Sequence, residues 1–392
     1  MIQARPAALV LAATALTFSL AQQSPAANPA SPAAATDQAN LRPDLPCRAQ
    51  ASEPVNHEVD FSVVVTPPYH CHVLKVWLPI PQSGAGQDVR ESKLSTFPQQ
   101  VEPRIATEGV YGNKFAYFEF HEPQGAQIIR HQFSAKVSQL NWDVDPNRVT
   151  AVTQWPASFA PYLQPQAIDE QQAYDAELAK VIQRPTGRAS DLFPVMNWIE
   201  QNLAYDHVRA SLAADANHAF QLRRGHCSDY HGLCATMGRS LGYPTCVTYG
   251  LALFPKNSPS HCKLEAFLPP YGWVSFDLSE TQKMIHKIAA DEKLSDEQKQ
   301  QLAAAARQRL RSGFRENSWL LLTRGTNYQL VPQAVAPVSV VRTIYAEADG
   351  AVLPEPDPAN LEKREYAWMT VHKYQADREF KQPFKDFSTL PE

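Results

Sequence analysis

At 392 residues the chain is long enough for two ordinary domains, because cores of about 100–200 residues are the usual unit. Hydrophobic residues make up 44% and charged residues 19%, a balance that buries a core and excludes wholesale disorder. With 36 Lys and Arg against 40 Asp and Glu the formal charge is -4, too little positive field to hold a polyanion by counterion release, so nucleic acid is not an expected partner.

From the N-terminus, Arg5 precedes an apolar run over 7–20, and Ser19-Leu20-Ala21 offers the small residues a signal peptidase needs. Residues 1–21 are therefore read as a signal peptide cleaved after Ala21. The run is shorter than the roughly 20 residues that span a bilayer, and no later stretch is long and apolar enough. The mature chain is expected to be exported, periplasmic or extracellular, with no membrane span. Residues 22–46, rich in Ala, Pro, Ser and Gln, have too little apolar surface to offset ordering entropy and read as a disordered linker.

Strand patterns follow at 58–65, 72–78, 115–120 and 128–137, separated by Pro, Gly and Asn turns, and predict an N-terminal β domain over 47–150. From Asp169 onward the apolar period lengthens to three and four. Ser190 and Asp191 are the expected caps of a helix striped by Leu192, Val195, Met196, Ile199 and Leu203. A second helix begins at Cys227, with Tyr230, Leu233, Cys234, Met237 and Leu241 as its stripe and Gly242-Tyr243-Pro244 as its stop. Strands are predicted over 245–254, 263–268 and 273–276. Ser295-Asp-Glu-Gln298 is a capping box opening a helix to Arg311, read as part of an exposed excursion over 281–316. Strand-like stretches return at 319–323 and 338–345. The fold class is α+β, with a catalytic domain over 151–330 and a C-terminal extension over 331–392.

Two stretches carry chemistry. In Arg224-Gly225-His226-Cys227-Ser228-Asp229-Tyr230 a glycine-containing turn delivers a cysteine to the first turn of a helix. The partial positive charge there favours thiolate over thiol, and the same N–H groups can hold an oxyanion. In the second stretch, from Ser260 to Asp277, a histidine opens one strand and an acid closes the next. A short turn between antiparallel strands makes His261 and Asp277 neighbours. An imidazole held by a carboxylate keeps one tautomer, as a general base for a thiol requires.

These residues resemble the transglutaminase-like superfamily of cysteine enzymes, whose members run Cys, His, Asp in that order. The resemblance covers roughly 190–280 and rests on Gly225, Asp229-Tyr230, Arg239-Ser-Leu-Gly242-Tyr-Pro244 and Pro270-Tyr271-Gly272-Trp273 with Asp277. The stretch Val76-Trp77-Leu78-Pro79-Ile80-Pro81 resembles the β domain that precedes the catalytic domain in bacterial members. The resemblance implies a transglutaminase/papain-like core, a cysteine helix packed on an antiparallel sheet carrying His and Asp. It also implies Cys227 as nucleophile, His261 as general base and Asp277 as the group orienting the imidazole. Lys263 departs from the family, which commonly has an aromatic residue there, so a different substrate preference is expected. Gln221 is a candidate second oxyanion donor, an exposed loop glutamine being the plainer reading.

The expected activity is attack on a protein or peptide carbonyl to give a thioester, with hydrolysis favoured over cross-linking because water is the default acceptor. A non-catalytic peptide-binding module on the same fold is the rival, and a zinc-stabilised domain a third reading. His226, Cys227, His231 and Cys234 lie close together, but Cys234 belongs to the apolar stripe and no second ligand pair has zinc spacing, so neither metal nor cofactor is expected. His231 is read as a polar residue of the helix surface, and Tyr205, Tyr249 and Trp273 as core or cleft wall. Six cysteines in an exported chain allow Cys47 to pair with Cys71, the alternative being buried apolar thiols.

Overall fold

The computed structural model describes residues 40–357, 360, 362 and 366–390. The signal peptide and residues 22–39 of the expected linker lie outside them. Residues 41–46 lie against the protein: Leu41 and Leu45 pack beside Trp273, whose Nε1 donates to the Pro43 carbonyl at 2.7 Å.

Alternating apolar residues make the strand Gln50–Val65, which buries Val55, Val59, Phe61, Val63 and Val65 on one face. It pairs antiparallel with Gln127–Asn141 on one side and Trp368–Ala376 on the other, and Gln87–Phe97 continues the sheet beyond Gln127–Asn141. A second sheet joins Val73–Pro79 to Lys114–His121 and Tyr345–Ala348. Leu74, Val76, Phe118 and Phe120 of that sheet share one apolar cluster with Val59, Phe61 and Val63 of the first, giving a sandwich.

Residues assigned in the sequence to a C-terminal extension thus supply a strand to each sheet. The physical reason is edge protection: without Trp368–Ala376 the long strand Gln50–Val65 would present a bare row of N–H and C=O groups. Only 345–348 of the expected strand 338–345 and its sequel is a ladder strand, Val338 making an isolated bridge with Tyr328. The strand Gln87–Phe97 was not read from the sequence.

The third sheet runs in the order Gly272–Phe276, Ser260–Leu268, Thr245–Ala252, Trp319–Arg324, all antiparallel. The helix Cys227–Ser240 packs on it, joined in one core with Leu192, Val195 and Ile199 of the helix Leu192–Asn202. Leu251, Leu253, Leu320 and Leu322 of the sheet join the sandwich cluster instead. The histidine strand Ser260–Leu268 is therefore buried at every position. The α+β expectation holds, with a strand region preceding the helix-on-sheet core.

Several local expectations need correction. Asp191 does not cap Leu192–Asn202 with its side chain; it accepts instead from Thr186 N–H at 2.8 Å and from the Tyr243 hydroxyl, because a short 3-10 turn at Ala189–Asp191 leads into the helix. Cys47 and Cys71 are unpaired, Cys47 packing on the helix-on-sheet core and Cys71 inside the sandwich. The excursion forms two helices, Leu278–Ala290 and Asp296–Ser312, the second with the expected Ser295 capping box. The first buries Leu278, Met284, Ile285 and Ile288, so only part of the excursion is exposed.

Trp368, 3% exposed, anchors the returning strand in the sandwich core. Trp368→Ala is expected to destabilise the protein by about 3–5 kcal/mol, read as a lower urea midpoint.

Candidate active site

The turn before Cys227 is held by its own side chains. The Asp229 carboxylate accepts from His226 N–H at 2.9 Å, and His226 Nδ1 accepts from Ser228 N–H at 3.2 Å, so the two residues cap the helix reciprocally. Ser211 N–H and its hydroxyl also bind Asp229. Gly225 has φ +154°, and a Cβ there would collide with the Asp229 carboxylate. That contact is the physical need for glycine two residues before the cysteine.

Cys227 opens the helix at 9% exposure, on a cleft of about 310 Å³ shared with Tyr205, His226, His261, Trp319 and Arg342. His261 is second in its strand, and its carbonyl accepts from Trp319 Nε1 at 3.0 Å. Asp277 follows the neighbouring strand and caps the helix Leu278–Ala290, Oδ1 accepting from Glu280 N–H at 3.0 Å. Its Oδ2 lies 2.6 Å from His261 Nε2, and His261 lines the same cleft as Cys227. The fold thus brings Cys227, His261 and Asp277 together.

The electrostatics follow from these contacts. A hydrogen bond from the Cys262 thiol, aided by the His261 charge, holds the Cys227 thiol well below its ordinary range against the opposing effect of burial. Burial alone would lower His261, but the Asp277 carboxylate and the Cys227 sulfur outweigh it and raise the imidazole to about 9. Burial would raise Asp277, yet Lys263 and His261 keep it well below the usual carboxylate range. Both shifts favour the ion pair of thiolate and imidazolium over the neutral pair.

Three neighbours were missed or misread in the sequence. Lys263 shares a strand face with His261, two residues on, and its fully buried Nζ lies 2.5 Å from Asp277 Oδ2 and 2.9 Å from Glu316 Oε2. It stands behind the carboxylate rather than in the cleft, so its departure from the family pattern acts on Asp277. A lysine two residues after His261, on the same strand face, was the available signal. His231 is fully buried, not on a helix surface, because the whole helix is enclosed. Its Nε2 accepts from Leu278 N–H at 3.1 Å and its Nδ1 lies 3.3 Å from Cys262 Sγ, while burial holds the ring neutral by lowering its pKa to about 4. Cys262 is thereby fixed beside Cys227, and burial first, then the Cys227 sulfur, keep it a thiol. Gln221 is exposed, bonds to Asp169 at 3.5 Å and does not line the cleft. Tyr205 lines the cleft, whereas Tyr249 and Trp273 belong to buried clusters.

Residues 175–278 match the family model of the transglutaminase-like superfamily. An uncharacterized protein of Haemophilus influenzae is 24% identical over 158 residues, 34% of this chain and 41% of that protein, so the match spans less than half of the relative's own length. A solved structure from Cytophaga hutchinsonii, provisionally named a cysteine protease, superposes with a TM-score of 0.57 at 13% identity, covering 87% of this chain and 98% of the other. At that identity the likeness is one of fold.

Removing a cation that neutralises buried carboxylates costs more than the pairs contribute, since buried negative charge is left undercompensated. Lys263→Met is expected to lower stability by about 3–5 kcal/mol, and adding Glu316→Gln to recover part of it, both measured by denaturant unfolding.

Proposed function

From the premise that this chain carries a transglutaminase-like core, we propose that it is a cysteine hydrolase of protein or peptide amides working through a thioester on Cys227. The supporting observation is that Cys227 and His261 share one cleft with His261 Nε2 2.6 Å from Asp277 Oδ2, the surroundings lowering the thiol's pKa and raising the imidazole's. Asp277 orients the ring and stabilises its positive charge.

The thiolate attacks the carbonyl carbon, forming the C–S bond and moving the C=O π pair onto oxygen. When that pair returns, the C–N bond breaks and the amine leaves with the proton from His261. His261, now neutral, accepts a proton from the incoming water, whose oxygen attacks the thioester. The acid departs and the sulfur leaves as thiolate. With the sulfur ionised at rest, the base work expected of His261 belongs to this second half. Water is favoured over an amine acceptor because it is the default nucleophile at a cleft that meets solvent. The leader-like residues 1–21 support an extracytoplasmic substrate, and among the described residues no helix is long and apolar enough to cross a membrane.

Iodoacetamide labelling followed by mass spectrometry tests the primed thiolate. Between pH 8 and pH 6 an ordinary thiol of pKa about 8.5 loses reactivity roughly 75-fold, whereas Cys227 should stay nearly constant and His261→Ala should restore the steep fall. Reactivity no greater than that of an ordinary thiol would favour the non-catalytic binding module. Casein turnover should decline as pH rises through about 9, where His261 loses the proton it gives to the amine. If a dansylated amine were incorporated in preference to hydrolysis, the acceptor assignment would be reversed.

A further inference from the structure

Attack on a carbonyl puts negative charge on its oxygen, and cysteine hydrolysis needs donors aimed at that position before the charge appears. One is set by helix geometry: the N–H of Cys227, at the first helical position, has no intrahelical acceptor. With Gln221 outside the cleft, the side-chain donor must come from elsewhere.

His226 has the required properties. Its ring is 2% exposed and lines the cleft beside Cys227. Its Nδ1 faces Ser228 N–H at 3.2 Å and the Ser228 hydroxyl at 2.8 Å. A backbone N–H can only donate, so Nδ1 is the bare nitrogen, and in a neutral imidazole the proton is then on Nε2. The ring is neutral because burial lowers its pKa to about 3, outweighing the upward pull of the Cys227 sulfur. Nε2 is buried with no hydrogen-bond partner among the described residues. A buried N–H left without an acceptor costs about 1–3 kcal/mol, a cost that an asparagine cap holding the same backbone N–H would avoid.

We infer that the Nε2–H of His226 is the side-chain donor that, with the Cys227 N–H, binds the oxyanion of the tetrahedral adduct. The inference rests on the acyl-transfer reading above. His207, edge-on to His226 at 5.9 Å, is a poorer donor because its Nδ1 faces the Asp357 carboxylate at 4.0 Å, a charge that repels an oxyanion. The assignment makes one residue serve two ends of its ring: Nδ1 fixes the cysteine helix, and that bond sets the tautomer that arms Nε2.

Two probes separate this role from activation of the thiolate. p-Nitrophenyl acetate acylates Cys227 through a tetrahedral oxyanion, whereas iodoacetamide alkylates it by direct displacement of iodide with no oxyanion. His226→Asn keeps the cap and removes the Nε2–H. The expected result is acylation slowed about 10²–10³-fold, with alkylation as fast as in the unsubstituted chain. Acylation unchanged, or acylation and alkylation slowed together, overturns the assignment while leaving the nucleophile intact. If the unsubstituted Cys227 alkylates no faster than an ordinary thiol, the acyl-transfer reading itself fails and takes this one with it. A readout independent of the variant's folding is the Nε2–H proton resonance of His226 in the histidine-15N-labelled chain. It should move downfield when acetaldehyde forms a hemithioacetal on Cys227, and a stationary resonance overturns the assignment.

Discussion

One buried carboxylate organises the helix-on-sheet half of this molecule. Asp277 accepts from His261, Lys263, Ser279 and the N–H of Glu280, so every lone-pair direction of an anion removed from water is used. Two of those partners are cations, and the anion survives burial only because they are there. The imidazole in turn owes its proton to that anion. The start of a helix, the tautomer and charge of a histidine, and the burial of a lysine are thus one electrostatic problem with one solution. The Lys263 contact with Glu316 extends it to the connection that leads into the strand Trp319–Arg324.

A second constraint sits at the other end of the cleft. The thiol must meet both a helix start and an imidazole, which fixes the angle at which the chain enters the helix. Gly225, Asp229 and His226 set that angle through contacts among themselves and with Ser211, none of which needs substrate. Behind them the His231 ring, held by the N–H of Leu278, fixes Cys262 against the nucleophile. Leu278 directly follows Asp277, so the two ends of the cleft are tied by adjacent residues.

The parts of this arrangement that follow local rules were legible in the sequence. A glycine turn before an amphipathic stripe announced the cysteine helix, and a histidine and an acid at opposite ends of a short hairpin announced their meeting. Ser295 and Gln298 announced a cap. What escaped depends on distant partners. Trp368–Ala376 alternates polar residues over an exposed face, and its strand character comes from pairing with Gln50–Val65 far away in the chain. Gln87–Phe97 is similarly polar and half exposed. His231 looked like a surface residue because its own helix has other apolar positions; the segment after Asp277 buries it. His226 was weighed in the sequence only as a metal ligand, because its tautomer depends on a backbone N–H two residues on.

The order of the strands has a temporal meaning. Proteins are made from the N-terminus, and here the first long strand pairs with the last, His57 opposite Ala376 and Val65 opposite Trp368. Residues 382–385, later still, wall the cleft that holds the cysteine. A nascent copy therefore carries Cys227 well before residues 382–385 are made, and the cleft around that cysteine takes its walls only once they have emerged.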